Sequence, residues 1–219
     1  MRIIVTDYLD VVSSWCFWSE PTWAELKRRY ESRIVFQWKI ALMDPSGLPT
    51  SREQEQWFYR RSGMLMRSPF MLNTDWYDAS LREWLPPNAV AEAAKDFGIT
   101  NDQVRLALSY AALREGKKVS DWNVCAEIAA AAAKINKKKL LDAARSSAVE
   151  KRLRASTAEF HAMQITQRPT FVVDTEIGDR AIFSGVVRLE PIAATIDSMV
   201  DDASFYAVHK AHFGAPPSK

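Results

Sequence analysis

Strand-forming residues occur only near the two ends of this 219-residue chain, and that distribution limits its fold more than any other feature. Ile3, Ile4 and Val5, followed by Tyr8, Leu9, Val11 and Val12, form a short, nearly continuous apolar segment. Such a run suits a strand covered on both faces. Trp23, Leu26 and Tyr30 then recur at helical spacing, with Lys27, Arg28, Arg29 and Glu31 on the other arc. This is an amphipathic helix that packs on a sheet. Pro21 lies within it and must either open a second helical segment or kink the first. Residues 34–40, rich in β-branched and aromatic side chains, read as a second strand. Together these pieces make a βαβ unit.

After the Pro- and Gly-containing segment at 44–49 the periodicity becomes helical and strand signals almost vanish. The spacing predicts helices over Arg52 to Met66, Asn88 to Asp96, Asn101 to Glu115, Asp121 to Ala133 and Lys137 to Glu159. Pro86-Pro87-Asn88 supplies a start signal, and Gly98 and Gly116 mark joints. Strand character returns at Thr170 to Asp174 and, after a turn at Gly178-Asp179, at Ala181 to Gly185; a final helix is expected from Leu189 to Val200. The order is β-α-β, a helical block, then β-β-α. It predicts an α/β domain made of residues 1–47 and 164–219, interrupted by an all-helical insertion at 48–163.

Composition narrows the function. Lysine plus arginine total 29 against 27 for aspartate plus glutamate, a net charge of +2 that points to no nucleic-acid partner. The chain enters its first strand directly, without the apolar stretch of roughly 7 to 15 residues expected of a signal peptide. It also contains no apolar run of roughly 18 residues, so no membrane association is expected. Cys16 and Cys125, far apart in sequence, suggest reduced thiols in a cytoplasm. His161, His209 and His212 have no spacing that makes a metal site.

The chemistry-bearing stretch is Asp10-Val11-Val12-Ser13-Ser14-Trp15-Cys16-Phe17, between the first strand and the first helix. Counting back from Cys16 by the Cys-x-x-Cys spacing lands on Ser13, so the outer thiol of a dithiol motif is replaced by a hydroxyl. Two further segments accompany it: Glu115-Gly116-Lys117 with Val119-Ser120-Asp121, and Arg168-Pro169-Thr170-Phe171-Val172. These three motifs resemble the DsbA family, whose patterns are Asp-Val-x-Cys-Pro-Trp-Cys-Tyr, Glu-Gly-x-x-Ile-x-Asp and Val-Pro-Thr-Phe-Val. The serine-first form resembles 2-hydroxychromene-2-carboxylate isomerases and kappa-class glutathione transferases. The resemblance spans nearly the whole chain and implies a thioredoxin-like fold with an inserted helical domain.

A helix N-terminus favours negative charge through its free N–H groups and dipole, so a thiolate is stabilised there. A thiol of pKa about 8.5 is only about 3% ionised at pH 7; lowering it by about two units, a gain of about 2.7 kcal/mol, makes it mostly thiolate. With Ser13 in the outer position, the hydroxyl can donate a hydrogen bond to a thiolate brought in by a cofactor. Ser13, or Ser14 beside it, is equally suited to a plain N-cap, and the two roles are compatible. Cys16 reads either as a reactive thiol or as a small buried core residue.

The resemblance implies catalytic roles for Ser13 and Cys16 and cofactor contacts from Ser14, Trp15, Arg168 and Pro169. It makes Pro169 a cis-proline whose preceding backbone binds substrate. Arg168 replaces the family's small apolar residue and would suit a carboxylate. Glutathione is the implied cofactor, although Val186 and Val187 stand where relatives carry a Ser-Asp pair for its γ-glutamyl end. The aromatic supply around Trp57, Phe58, Tyr59, Phe70, Trp76, Tyr77 and Trp84 suits a small hydrophobic or aromatic substrate. The resemblance also allows a homodimer.

The reading is a cytoplasmic, thiol-dependent transferase or isomerase. Its alternatives are a monothiol oxidoreductase acting through Cys16 and a non-catalytic ligand- or peptide-binding protein. Ser13→Cys rebuilds a dithiol at the helix start, so this variant should form an intramolecular disulfide under oxidant and gain disulfide-exchange activity that wild type lacks. Robust dithiol turnover by wild type in the same assay would refute the serine-first reading.

Overall fold

The computed structural model describes residues 2–81 and 83–215. Its first unit is β1 (Ile3–Leu9), α1 (Ser14–Tyr30) and β2 (Val35–Ile40), and its last is β3 (Thr170–Thr175), β4 (Arg180–Ser184) and α8 (Leu189–Phe213). Between them run α2 (Arg52–Leu65), α3 (Leu85–Ala94), α4 (Gln103–Leu113), α5 (Trp122–Ala133), α6 (Lys137–Ala144) and α7 (Ser147–Ala162). Among the described residues no strand interrupts this helical stretch. The four strands form one mixed sheet in the order β2-β1-β3-β4. β1 pairs in parallel with β2 and antiparallel with β3, and β3 pairs antiparallel with β4.

Alternation along the central strands sends side chains to two different cores. Ile3, Val5, Phe171 and Val173 face one core with Trp23, Leu26 and Tyr30 of α1 and Ile192 and Ile196 of α8. Tyr8 and Val172 face the other side, against Phe160 of α7. At the C-terminal end of β1 a third cluster joins Leu9, Val11, Val12 and Cys16 to Tyr59, Trp76, Trp84, Val90 and Leu108 of the helical stretch.

Two buried polar junctions orient the helices on the sheet. The first ties α1 to α4. Arg105, only 2% exposed, bonds Glu20 of α1 and Asp102, which also accepts from Lys27 Nζ at 2.9 Å and Trp23 Nε1 at 3.1 Å. The second ties the turn after β1 to α3. Asn88, fully buried, accepts from Val11 N at 3.0 Å through Oδ1 and donates through Nδ2 to Asp10 Oδ2 and to the Trp84 carbonyl, both at 2.9 Å.

Helix α1 runs through Pro21 as one element, which removes the second start from the two alternatives at that residue. Other boundaries differ from the sequence expectations, α3 beginning at Leu85 ahead of Asn88. The helix expected from Lys137 to Glu159 is two, because Ser146 adopts an extended conformation and its hydroxyl caps Val149 N at 3.3 Å. Helix α8 continues past Val200 to Phe213 and stops at Gly214, whose φ is 70°. Core-facing periodicity ends near Ala203, but no helix-breaking residue follows until that glycine. No helix in the described residues is long and apolar enough to cross a membrane.

Truncating Asn88 would leave the buried Val11 N–H unpaired and take one partner each from the Trp84 carbonyl and from the Asp10 carboxylate, which keeps Val12 and Met43. At about 1–3 kcal/mol for a buried group left unpaired, Asn88→Ala should cost at least about 1 kcal/mol in urea unfolding. A loss below about 1 kcal/mol would mean that this junction does not hold the turn.

Candidate functional site

The chain leaves β1 at Leu9 and turns into α1 over four residues that are fixed from three directions. Asp10 closes the turn on itself: its Oδ1 accepts from Val12 N at 3.1 Å and its carbonyl from Ser13 N at 3.1 Å. Asn88 holds it from α3. From α2, the Tyr59 hydroxyl donates to the Val12 carbonyl at 3.3 Å and accepts from Trp76 Nε1 at 3.2 Å. Ser13 is the N-cap of α1, with extended backbone and with Oγ accepting from Cys16 N at 3.4 Å. As an acceptor in that bond, the hydroxyl keeps its own proton available for a ligand at the helix terminus.

Cys16 lies one turn further in and is buried at 3% exposure. Burial pushes its thiol up, the nearby Asp7 carboxyl adds to the rise, and the Ser13 hydroxyl opposes it without overcoming it. Asp7 sits beneath in the sheet, fully buried, with Oδ1 lacking a hydrogen-bond partner. Burial raises its pKa well above the carboxylate range, against the pull of Arg105. Burial thus disfavours negative charge on both groups at the floor of the site.

Two lobes of one cleft meet above this floor, sharing Ser13, Trp15, Met43 and Gly47. One lobe, about 370 Å³, is lined by the polar residues Asp44, Ser46, His161, Thr166, Gln167 and Arg168 beside Trp15 and Met43. The other, about 160 Å³, is walled by Val12, Pro49, Phe58, Tyr59 and Trp84, with Ser14, Glu55 and Arg61 also lining it. Ser13, Ser14, Trp15 and Arg168 thus come together, and the Arg168–Pro169 peptide bond beside them is cis. Arg168 is largely committed to backbone. Its guanidinium bonds the carbonyls of Ala41, Leu42 and Thr166 and lies over the Phe160 ring at 4.5 Å. One N–H on each terminal nitrogen is left for a ligand. Cys125 is remote from the cleft, buried in α5 with its sulfur 2.9 Å from the Val119 carbonyl.

Sequence reasoning missed Glu55, Asn88 and Asp7 as parts of this site, and it gave Asp10 no role beyond its place in the motif. Two of these carried a signal, since Asp7 and Asp10 are carboxylates inside an apolar strand run. Glu55 carried none. It follows the Ser51 cap, where acidic residues merely complement the helix dipole. In the fold it is 3% exposed, and burial raises its pKa to about 7, with the Asp10 charge adding and a hydrogen bond from Tyr59 opposing.

A family model described as DSBA-like thioredoxin domain matches residues 4–197. No curated protein sequence matches the chain. Among solved structures, the cytosolic disulfide reductase DsbM from Pseudomonas aeruginosa is similar, with a TM-score of 0.72 and 15% identity over 90% of this chain and 98% of that one. Its structure with GSH gives 0.70 and 15%, over 90% and 99%. A 2-hydroxychromene-2-carboxylate isomerase gives 0.63 and 12%, over 93% and 98%. These likenesses carry the fold.

The raised Glu55 pKa has a measurable consequence for stability. Above its ordinary value near 4.5 the unfolded chain has lost this proton while the folded protein keeps it until about pH 7, so folding stability falls with rising pH across that window. The total loss is about 3 kcal/mol at most. Measured as a difference, Glu55→Gln should gain stability over wild type between those two pH values and hold the gain above them. A pH-independent difference in urea unfolding would show that Glu55 ionises normally.

Proposed function

The chain belongs to the DSBA-like thioredoxin domain family, and within it we propose a thiol-dependent enzyme, using glutathione, that performs a transfer or isomerisation on a hydrophobic, aromatic substrate. The observation that carries this reading is the position of Ser13 at the junction of a polar and an aromatic lobe, its hydroxyl proton unspent at a helix N-terminus. In this role Ser13 donates to the cofactor sulfur, and the dipole of α1 adds to the stabilisation of negative charge there. Bound glutathione supplies a nucleophilic thiolate. Trp15, Gln167 and Arg168 would hold it from the polar lobe, and Phe58, Tyr59 and Trp84 would hold the substrate from the other.

The burial of Cys16 and the upward push on its thiol weigh against the monothiol alternative, because the nucleophile in such chemistry is an exposed thiolate. The polar lobe fits a charged tripeptide through Arg168 and its neighbours. The edge after β4 does not contribute side-chain donors at Val186 and Val187. Val186 packs into the core, and the Val187 carbonyl accepts the Thr22 hydroxyl at 2.7 Å. Glutathione recognition in this proposal therefore rests on the cis-proline side of the cleft. A cytoplasmic setting is part of the same proposal, supported by two free, buried cysteines and by a structural neighbour described as cytosolic.

The test is thiolate absorbance of the protein–glutathione complex across pH, with wild type and Ser13→Ala compared. Wild type should lower the apparent pKa of the bound thiol by about two units, and the variant should lose most of that shift while still binding glutathione. Turnover, once a substrate is found, should drop roughly 10²-fold in the variant. An unshifted thiol pKa in the wild-type complex would sink the proposal.

A further inference from the structure

Across the smaller lobe from Ser13 stands a carboxyl that the fold itself does not need. Glu55 is 97% buried, and among the described residues no lysine, arginine or histidine forms an ion pair with it. A buried carboxylate without a cation costs stability when ionised, and glutamine of the same shape would serve the fold better. The charged and titratable groups facing it are Asp10 from the turn, Tyr59 and Arg61 from α2, and Tyr77, whose hydroxyl is held by the Pro49 carbonyl at 2.7 Å. Asp10 is itself fully committed to Val12, Met43 and Asn88. Glu55 is thus the titratable carboxyl on the wall of the smaller lobe that is free to change its protonation.

We propose that Glu55 accepts the proton of the thiol bound at Ser13 and returns it to the substrate in the same lobe, as the acid–base catalyst of the reaction. This rests on the thiol-dependent reading above. In the first step the Glu55 carboxylate takes the S–H proton, and the electron pair of that bond remains on sulfur beside the Ser13 hydroxyl. In the second, Glu55 gives the proton to the carbon that receives the π pair of a carbonyl-conjugated double bond, while a carbon–sulfur bond forms at the other end. One thiol adds across one double bond, Glu55 ends as it began, and no redox partner enters. The same step run backwards uses Glu55 as base, and the aromatic walls of the lobe suit a flat substrate. A proton donor that titrates near neutral pH is suited to both directions.

At about pH 7 the thiol held by Ser13 is already mostly thiolate, so the protonation step is isolated by comparing addition of glutathione to benzylideneacetone, which needs a proton donor, with substitution on 1-chloro-2,4-dinitrobenzene, which expels chloride and needs none. Glu55→Gln should slow the addition by roughly 10²-fold or more and change the substitution by less than about threefold. Retained substitution also reports an intact fold. Equal slowing of both reactions, or an addition that Glu55→Gln leaves unchanged, overturns the proposal. If wild type binds no glutathione at all, the thiol-dependent reading fails and takes this inference with it.

Discussion

The bond between Asp10 and Asn88 holds the turn in which β1 becomes α1, and the geometry of the cleft follows from it. Two segments meet there, the turn after β1 and the start of α3. Val11 N–H from the one and the Trp84 carbonyl from the other both bond the amide of Asn88, and the low local dielectric makes the loss of such partners expensive. The carboxylate of Asp10 completes the arrangement by accepting from Val12 and Met43. Because this junction fixes where α1 begins, it also fixes where Ser13 can present its hydroxyl.

What lies under Ser13 explains why chemistry in this protein would use a thiol from outside. Cys16 and Asp7 are both driven toward their neutral forms, chiefly by burial, and the Asp7 carboxyl adds to the rise at Cys16. A helix N-terminus stabilises negative charge within its first turn, but at Cys16 burial outweighs that stabilisation. The ion cluster around Arg105 anchors the opposite side of α1, so the helix is fixed along its length.

The cleft divides its labour along the same line. Backbone carbonyls of the segment after β2 and of Thr166 grip Arg168 and leave one N–H on each terminal nitrogen. The second lobe comes from the helical insertion, whose aromatic walls enclose Glu55 in surroundings dry enough to move its pKa into the neutral range. A fold shared with disulfide enzymes can in this way host different chemistry, because function resides in the side chains placed on it.

The sequence alone determined the order of elements, since strand and helix periodicities are local properties and the strand signals sit only in the flanks. It also determined Ser13 at the helix start and the Arg168-Pro169 landmark, because each belongs to a short contiguous motif. It misplaced the ends of α7 and α8, where a single capping serine or the absence of a breaker outweighed core-facing periodicity. Only the tertiary structure decided that Cys16 is buried and pushed toward its neutral form, that Arg168 is gripped by carbonyls of the segment after β2, and that Asn88 is the partner of Asp10. It alone turned Glu55 from an ordinary first-turn acid into a cleft carboxyl. Burial and electrostatic environment are set by residues distant in the chain, such as the pairs 10 and 88 or 12 and 59, and no local pattern encodes them.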